Sequence, residues 1–310
     1  MDANEILKFI RLTYTGLSDG ALLALIALGL VLVFKATDVI NFAQGEFMML
    51  GAYLGYQAIV WLQAVETPGV IIVLGFLAMV LGMVAFGVMV ERLVLRPLIG
   101  EPVISVIMVT IGLSNIIQAV VGAIWGKLPQ TIPTNLIPID GRFEIALEGA
   151  RRPLLLAQDS FIIAISVLAL VAVLILFFRN SKQGIAMRAT ADDQQAAMSM
   201  GISIKTIFML TWSLAAVTAG IAGLLIADIT NGVSGDIPGV GLRAFPVIIL
   251  GGLDSIGGAV LGGFIIGLIE AYASGYIDPG VKTVTPYIVL LIVMMIKPYG
   301  LFGQKRIERV

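Results

Sequence analysis

The chain lacks two residue types altogether, since none of its 310 residues is cysteine or histidine. Without cysteine there is no disulfide framework and no thiol nucleophile, and without both there is no zinc site built from Cys and His. The absence of histidine also excludes imidazole ligands to haem and imidazole proton relays. Composition alone therefore removes several large classes of enzyme, redox protein and metalloprotein.

Charge is scarce as well. Charged residues make up 13% of the chain, about half of the ~25% that is typical of soluble domains. The net charge of −1 gives no indication of nucleic-acid binding. Hydrophobic residues reach 59% and the mean hydropathy is +1.03. A soluble domain of this length could not bury so much apolar surface, so we expect a protein embedded in a lipid bilayer.

Sequence motifs for catalysis are missing too. The nucleotide-binding pattern G-x-x-x-x-G-K-[ST] does not occur, because Gly126-Lys127 is followed by Leu128. No paired acids, no nucleophile beside a base and no metal-ligand cluster can be recognised. We therefore expect no catalytic residues, no metal site, no cofactor bound by this chain and no enzymatic activity.

Long apolar runs dominate what is present. Val70–Val90 holds no charged residue and is long enough for a helix to cross the ~30 Å hydrocarbon core. Similar runs predict further spans at Leu12–Phe34, Phe47–Val65, Val103–Trp125, Phe161–Phe178 and Thr206–Ala227, with a shorter last one at Val281–Ile296. Two short apolar pieces, Ala244–Leu253 and Ile256–Ile269, fit broken or re-entrant helices. The predicted fold class is an all-α integral membrane protein, a polytopic helical bundle with about eight spanning helices plus broken or re-entrant segments.

Lys and Arg in short loops predict the orientation. The loop Arg179–Lys205 and the tail from Lys297 are rich in both and are placed in the cytoplasm. An even number of crossings must then separate them, so 244–253 and 256–269 are expected to form a hairpin with Asp254-Ser255 at its inner tip. The same parity places 35–46 and 91–101 inside, and 126–159 outside. The N-terminus is placed outside and, since it lacks signal-peptide features, is expected to be retained.

The first candidate functional segment is Lys35–Gly45, which holds Asp38, Asn41 and Gln44 between two apolar runs. It fits a short cytoplasmic turn in which Asp38 or Asn41 caps the next helix. It fits equally a helix broken inside the membrane, with polar side chains facing a pathway. Glu46 suits the positive end of the following helix in either case.

The second candidate is the polar loop Asn180–Ser203, in which a short helix is expected to begin near Asp192 or Asp193 and to end at Gly201. The apolar positions of that helix are spaced to form one small face: Ala196, Ala197, Met200 and Ile202. The loop is either a solvated interfacial helix or a docking helix for a soluble partner, with Arg188 beside its apolar face. We favour docking.

Glycines and isolated acids have both a structural and a functional interpretation. The spacing of Gly258 and Gly262, and of Gly263 and Gly267, predicts close helix packing, while a backbone-lined path is the alternative. Three acids near the ends of spans are expected to lie at the interface or pair with polar neighbours, a proton or cation site being the alternative: Asp19, Asp228 and Glu270.

Motifs spread over nearly the whole chain carry a family resemblance. They are INFAQGEFMMLGAY at Ile40–Tyr53, ERLVLRPL at Glu91–Leu98, GIAMRATADDQQAAMSMGIS at Gly184–Ser203, AGIAGLL at Ala219–Leu225, VIILGGLDSIGGAVLGGFIIGLIEA at Val247–Ala271 and KPYGLFG at Lys297–Gly303. Together they resemble the branched-chain amino acid permease family of bacterial ATP-binding-cassette (ABC) importers, of the LivH type. They are highly specific for the family and much less specific for the substrate.

The resemblance implies a single transmembrane permease domain over 1–310 in the bacterial inner membrane, with several crossings. The implied partners are a second, homologous permease, two cytoplasmic ABC ATPases that bind the ATP, and a periplasmic substrate-binding protein. The implied ATPase-coupling residues lie in the cytoplasmic loop 180–203: Arg188, Asp192, Asp193, Ala196, Ala197, Met200, Gly201 and Ile202. The implied translocation-path residues lie around the first candidate segment: Asn41, Phe42, Gln44, Gly45 and Glu46.

The predicted function is a permease subunit of an ATP-driven importer for branched-chain, hydrophobic amino acids. Within the same family, urea, short-chain amides and aromatic acids are alternative substrates. Outside it, the alternatives are an ion-coupled secondary carrier and a passive urea or amide channel. A secondary carrier needs an ion-binding carboxylate near the bilayer midplane, and no carboxylate is expected there.

Overall fold

The computed structural model describes residues 3–63, 67–133, 141–147, 150 and 152–303. Some predicted features therefore fall outside the described residues, namely parts of the outer loop 126–159, the end of the Phe47–Val65 run and the Lys305–Arg309 part of the basic tail. Two compact units are present. The first consists of Met1–Ala27, Ile137–Val171 and Arg243–Val310, and the second of Leu28–Leu136 and Ala172–Leu242.

The described part of the chain is predominantly helical. The helices are α1 Ala3–Thr37, α2 Gln44–Trp61, α3 Pro68–Val90, α4 Val103–Trp125, α5 Gln158–Asn180, α6 Lys182–Asp192, α7 Gln194–Ser199, α8 Ile204–Ile229, α9 Ile237–Leu242, α10 Ala244–Gly251, α11 Ile256–Tyr276 and α12 Thr285–Ile296. A π-helical turn follows α3 at Glu91–Leu95, and short 3₁₀ turns lie at Arg96–Leu98 and Pro279–Lys282. Strands β1 (Arg142–Ile145) and β2 (Leu154–Ala157) pair antiparallel.

Long apolar helices confirm the predicted class of polytopic helical membrane protein. Among the described residues, six helices are long and apolar enough to cross a membrane: Ala3–Thr37, Pro68–Leu98, Val103–Trp125, Gln158–Asn180, Ile204–Ile229 and Ile256–Tyr276. Ile237–Gly251 and Thr285–Ile296 are apolar but shorter. Helix α2 is 18 residues long and is not among these six. The predicted count of about eight spans is therefore approximate.

In the first unit, the early part of α1 packs closely against α11. A Cβ atom on Gly20 would lie 2.9 Å from the Phe264 Cα atom, and one on Gly263 would lie 2.6 Å from the Ala24 nitrogen. The backbones can approach this closely only because these positions carry no side chain. The packing interpretation of the glycine pattern is therefore supported at Gly263.

The predicted hairpin over 244–269 is present, but its second arm is longer than expected. Helix α10 turns at Gly252–Ser255 into α11, and the Ser255 hydroxyl accepts a hydrogen bond from the Gly258 N–H at 2.9 Å. Helix α11 continues to Tyr276, over 21 residues, which is enough to span a bilayer. The expectation of a short piece ending at Ile269 is therefore corrected.

Two of the isolated acids in the first unit are paired, as expected. The Asp19 carboxylate accepts a hydrogen bond from Lys282 at 2.7 Å. Glu270 is fully buried and forms a bidentate pair with Arg243. Pairing offsets the cost of holding a carboxylate away from water, so neither acid is left as an unpaired charge.

In the second unit, α2 and α8 cross at glycines. A Cβ atom on Gly51 would overlap the Gly220 Cα atom, and one on Gly223 would overlap the Met48 carbonyl. Large aromatic side chains fill the space around this crossing, with Phe47 packed edge-on against Phe86 at a centroid distance of 4.9 Å. The crossing therefore sets how α2 lies along α8.

The contacts at this crossing show where along α8 the helix α2 begins. The Phe47 ring lies 6.3 Å from the Trp212 ring, and Gly51 contacts Gly220. At 1.5 Å per residue, Trp212 is ~12 Å and Gly220 ~24 Å from the N-terminal end of α8, the end predicted to be inside. The first turn of α2 thus lies beside the interior part of α8, a helix long and apolar enough to cross a membrane, and away from both ends of that helix. The segment Lys35–Gly45 is better interpreted as a broken helix than as a wholly cytoplasmic turn.

Candidate functional site

The linker between α1 and α2 is ordered by Asn41. Its Oδ1 accepts a hydrogen bond from the Ala43 N–H at 3.0 Å, and its Nδ2 donates to Gln44 Oε1 at 3.2 Å. Asp38 instead ends α1 in the left-handed region at φ 56°, with its N–H bonded to the Phe34 carbonyl. The N-cap residue of α2 is Ala43, so neither capping candidate occupies that position, although Asn41 orients the start of the helix.

The first turn of α2 rests directly on α9. A Cβ atom on Gly45 would lie 2.6 Å from the Pro238 carbonyl oxygen, and one on Gly241 would lie 2.6 Å from the Gly45 Cα atom. Because α8 ends at Ile229, on the side predicted to be outside, α9 must return into the spanning layer to reach this depth. The chain after α8 therefore dips back beside α2.

A cavity of about 450 Å³ lies where α2, α4 and α9 meet. Helix α4 contributes three positions on one face, Ile111, Ser114 and Gln118. Ile111 and Gln118 are ~12 Å and ~22 Å from the N-terminal end of that helix. The full lining is Phe42, Gly45, Glu46, Ile111, Ser114, Gln118, Gly235, Asp236, Pro238, Gly239 and Leu242. The cavity thus lies beside the central part of α4, away from both ends of that helix.

Acidic and apolar groups share this cavity. Glu46 is only 6% exposed, and the Gln118 Nε2 atom donates to its Oε1 at 3.2 Å. Asp236 is the second acid in the lining, which contains no Lys or Arg. Apolar surface comes from Phe42, Leu242 and their neighbours. The cavity therefore presents negative charge beside an apolar wall.

The position of Glu46 overturns the expectation that no carboxylate lies near the middle of the spanning helices. Its position in sequence, in the first turn of an expected helix after a turn predicted on the cytoplasmic side, suggested a surface location. The register of α2 on α8 places it inside the layer instead. This depth depends on a contact between residues far apart in the chain.

The predicted path residues separate into two groups. Phe42, Gly45 and Glu46 line the cavity. Asn41 and Gln44 are buried and bonded to each other, and they are not among the lining residues, so their expected role at the solute stays a prediction. The Gln44 Nε2 atom is buried without a hydrogen-bond partner among the described residues.

Sequence reasoning missed three polar residues of the cavity, Ser114, Gln118 and Asp236. The first two stand four residues apart in the apolar run Val103–Trp125, and therefore on one helix face. That pairing of polar positions was a usable signal. Asp236 gave no comparable signal, because its place beside α2 follows from the return of α9.

The predicted coupling segment forms two helices rather than one. Asp192 is the last residue of α6, and Asp193 caps α7 by accepting a hydrogen bond from the Ala196 N–H at 2.9 Å. Gly201 follows α7 at φ 84°, a conformation that favours glycine. The expected start near Asp193 and the expected end near Gly201 are both confirmed.

The small apolar face expected on α7 is divided. Ala197 is buried, whereas Ala196 is exposed and Met200 is 83% exposed. Ile202 is half-buried, and its N–H bonds to the Ala197 carbonyl at 3.0 Å. One side of this six-residue helix therefore contacts the bundle, and the other faces outward.

Arg188 lies on α6, and its guanidinium donates to the Arg179 carbonyl at 3.4 Å. Gln194, the first residue of α7, lines a cavity of about 170 Å³ together with Phe208 and Trp212 of α8. Trp212 also packs on Phe47 of α2. The coupling segment and α8 therefore border one cavity, and Trp212 at that cavity contacts Phe47 in the first turn of α2.

Comparisons with known proteins give matches that cover almost the full chain. The model of a family described as "Branched-chain amino acid transport system / permease component" matches residues 12–296. The high-affinity branched-chain amino acid transport system permease protein LivH of Salmonella typhimurium is 29% identical over 99% of this chain and 100% of its own length. The corresponding BraD protein of Pseudomonas aeruginosa is 31% identical over 99% of both chains. A chain of PsaBC from Streptococcus pneumoniae, solved in complex with Fab, superposes with a TM-score of 0.47 at 13% identity, covering 92% of this chain and 91% of that one.

Proposed function

Because the chain belongs to the family of branched-chain amino acid transport permeases, we propose that it forms half of the path of an ABC importer for branched-chain amino acids. The observation that carries this proposal is the family match, which includes both the central cavity and the α6–α7 segment. The substrate class is proposed from the names of relatives about 30% identical over the full chain. The chain itself binds no cofactor and catalyses no reaction in this proposal.

The proposed assembly lies in the bacterial inner membrane and contains a second permease, two cytoplasmic ATPases and a periplasmic binding protein. ATP binds to the ATPases, and their closure moves α7, the helix with exposed Met200. The movement reaches the first turn of α2 through α8, because Trp212 of α8 borders the same cavity as Gln194 and contacts Phe47. Packed helices transmit such movements as rigid bodies.

The binding protein is proposed to contact two outer segments, Gly126–Asp159 and Asn231–Gly241. Gln130 and Val233 join these segments through two backbone hydrogen bonds, at 2.9 and 2.8 Å. This bridge supports the part of the first segment around Gln130 and the second segment acting as one surface. Because Gly235 and Gly239, in the second segment, also line the cavity, contact there is close to the proposed entrance of the path.

The test is uptake by the assembled importer in proteoliposomes. With the binding protein outside and ATP inside, labelled L-leucine should accumulate, and a protonophore should not abolish accumulation while ATP is held constant. Excess unlabelled valine should compete, whereas urea, acetamide and benzoate should not. Vesicles that contain the permease alone are the control and should accumulate nothing.

Each alternative predicts a different result. A secondary carrier coupled to protons would lose uptake with the protonophore, and a passive channel would equilibrate urea without partners. Competition by urea, acetamide or benzoate would keep the permease assignment and change the substrate. ATP-driven accumulation of none of these solutes would contradict the proposed function.

A further inference from the structure

Glu46 differs from the other buried carboxylates of the described chain. Glu91 pairs with Arg96 at 2.8 Å, and Glu270 pairs with Arg243. Glu46 is also buried, with 6% of its surface exposed, yet the only partner found for it among the described residues is the neutral amide of Gln118. A carboxylate held away from water without a cation is costly. Its position on a cavity leaves room for a cation from outside the chain.

We propose that Glu46 is the site at which the permease binds the α-ammonium group of the passing amino acid. This inference rests on the proposed function, because it takes the cavity to be part of the solute path. The carboxylate accepts hydrogen bonds from the ammonium group, while Gln118 holds its Oε1 in place. The site selects solutes by a positive charge, which urea, amides and aromatic acids lack.

A primary ammonium fits the cavity better than a bare metal ion does. Metal ions such as Ca²⁺ and Mg²⁺ need about six oxygen ligands, and no group of three or more acids that could hold a metal ion occurs in the described part of the chain. An ammonium group needs only a few acceptors and can be attached to an aliphatic group. Phe42, Ile111 and Leu242 supply the apolar wall for that group.

The volume and the charge of the cavity suit an amino acid that binds through its α-ammonium group. Its volume of about 450 Å³ is within the range of ~300–1,000 Å³ usual for small-molecule sites. Because two acids and no Lys or Arg line it, an anion without an ammonium group is repelled. The α-carboxylate of an amino acid meets only neutral donors here, such as the Ser114 hydroxyl, so the ammonium group provides the main attraction.

Ligand binding to the assembled permease pair with its ATPases, in nanodiscs and without binding protein, tests the proposal. The probes are L-leucine, 3-methylbutylamine, which keeps the ammonium and lacks the carboxylate, and 2-hydroxy-4-methylpentanoate, which lacks the ammonium. Saturation-transfer NMR titrations give their dissociation constants. The wild-type assembly should bind the amine at least tenfold more tightly than the hydroxy acid.

Variants then assign the preference to one carboxylate. Glu46→Gln should weaken binding of the amine at least tenfold, whereas Glu46→Asp, which keeps the charge, should weaken it less than threefold. Glu101→Gln is the matched control, because Glu101 is exposed and lies outside this cavity, and it should leave amine binding unchanged. The ligand series on the wild-type assembly does not depend on the folding of any variant.

Two results would overturn the proposal: a Glu46→Gln assembly that binds the amine as tightly as wild type, or a wild-type assembly that binds the hydroxy acid as tightly as the amine. The uptake experiment separates this failure from failure of the proposed function. If leucine uptake is normal and ATP-driven but amine binding does not depend on Glu46, the ammonium site at Glu46 is refuted and the proposed function is not. Amine binding that depends on Glu46, without leucine uptake, supports the site and refutes the proposed substrate.

Discussion

Single glycine residues decide how α2 and α8 pack in the second unit. Gly51 of α2 and Gly220 of α8 meet backbone to backbone, and Gly223 meets the Met48 carbonyl. Backbone atoms cannot move aside as the end of a flexible side chain can. One added methyl group at the crossing must therefore separate the two helices and shift Glu46, which lies one turn before Gly51.

Gly51→Ala should destabilise the purified permease by about 1–3 kcal/mol, the usual cost of overpacking. Thermal unfolding in detergent measures the effect as a lower melting temperature. Gly112→Ala is the matched control, since Gly112 also lies in a helix and a Cβ atom there would meet nothing within 4 Å. Because alanine is the better helix former, the control should be neutral or slightly stabilising. Equal melting temperatures for the two variants would show that the crossing is not tightly packed.

At the scale of elements, the short helix α7 has two distinct sides. Ala197 faces the bundle, while Met200 is 83% exposed at the end of the helix. An exposed methionine beside the tight turn at Gly201 suits contact with a soluble partner, since methionine adapts well to apolar contacts. This arrangement refines the sequence prediction, which assigned all four apolar positions to one face.

Met200→Asp should weaken association of the ATPases with the permease at least tenfold without changing its melting temperature, because the side chain makes no buried contact in the permease. Co-purification from membranes and a binding titration measure association. Met200→Leu preserves an apolar side chain of similar size and should associate normally. If Met200→Asp retains the ATPases and supports full leucine uptake, α7 is not the docking element.

The helical elements could be predicted because long apolar runs and their polar boundaries are local properties. Polar residues in Lys35–Gly45 likewise indicated an interruption before the structure placed it. The depth of that interruption could not be predicted, since it depends on the contact of Gly51 with Gly220. For the same reason, the pairing of Glu46 with Gln118, 72 residues further along the chain, was missed.

At the scale of the whole molecule, the family match and the second unit support one account of transport. The match includes residues 12–296, and the second unit contains both the coupling segment and the cavity. The proposed mechanism joins them through Gln194, Trp212 and Phe47. Its central claim is that the solute passes through the cavity beside Glu46 while ATP is hydrolysed by separate subunits.

Thiol labelling at Ser114 tests this claim most directly. The chain has no native cysteine, so Ser114→Cys introduces a single thiol into the cavity lining, and Ile116→Cys introduces one on an exposed part of α4 as the control. In proteoliposomes of the assembled importer, a membrane-impermeant methanethiosulfonate added outside should label Ser114→Cys, with a rate that changes severalfold on addition of ATP and vanadate, and should stop leucine uptake. Labelling should not stop uptake in the control. An unlabelled Ser114→Cys, or a labelled one that transports leucine as fast as the control, would contradict the account.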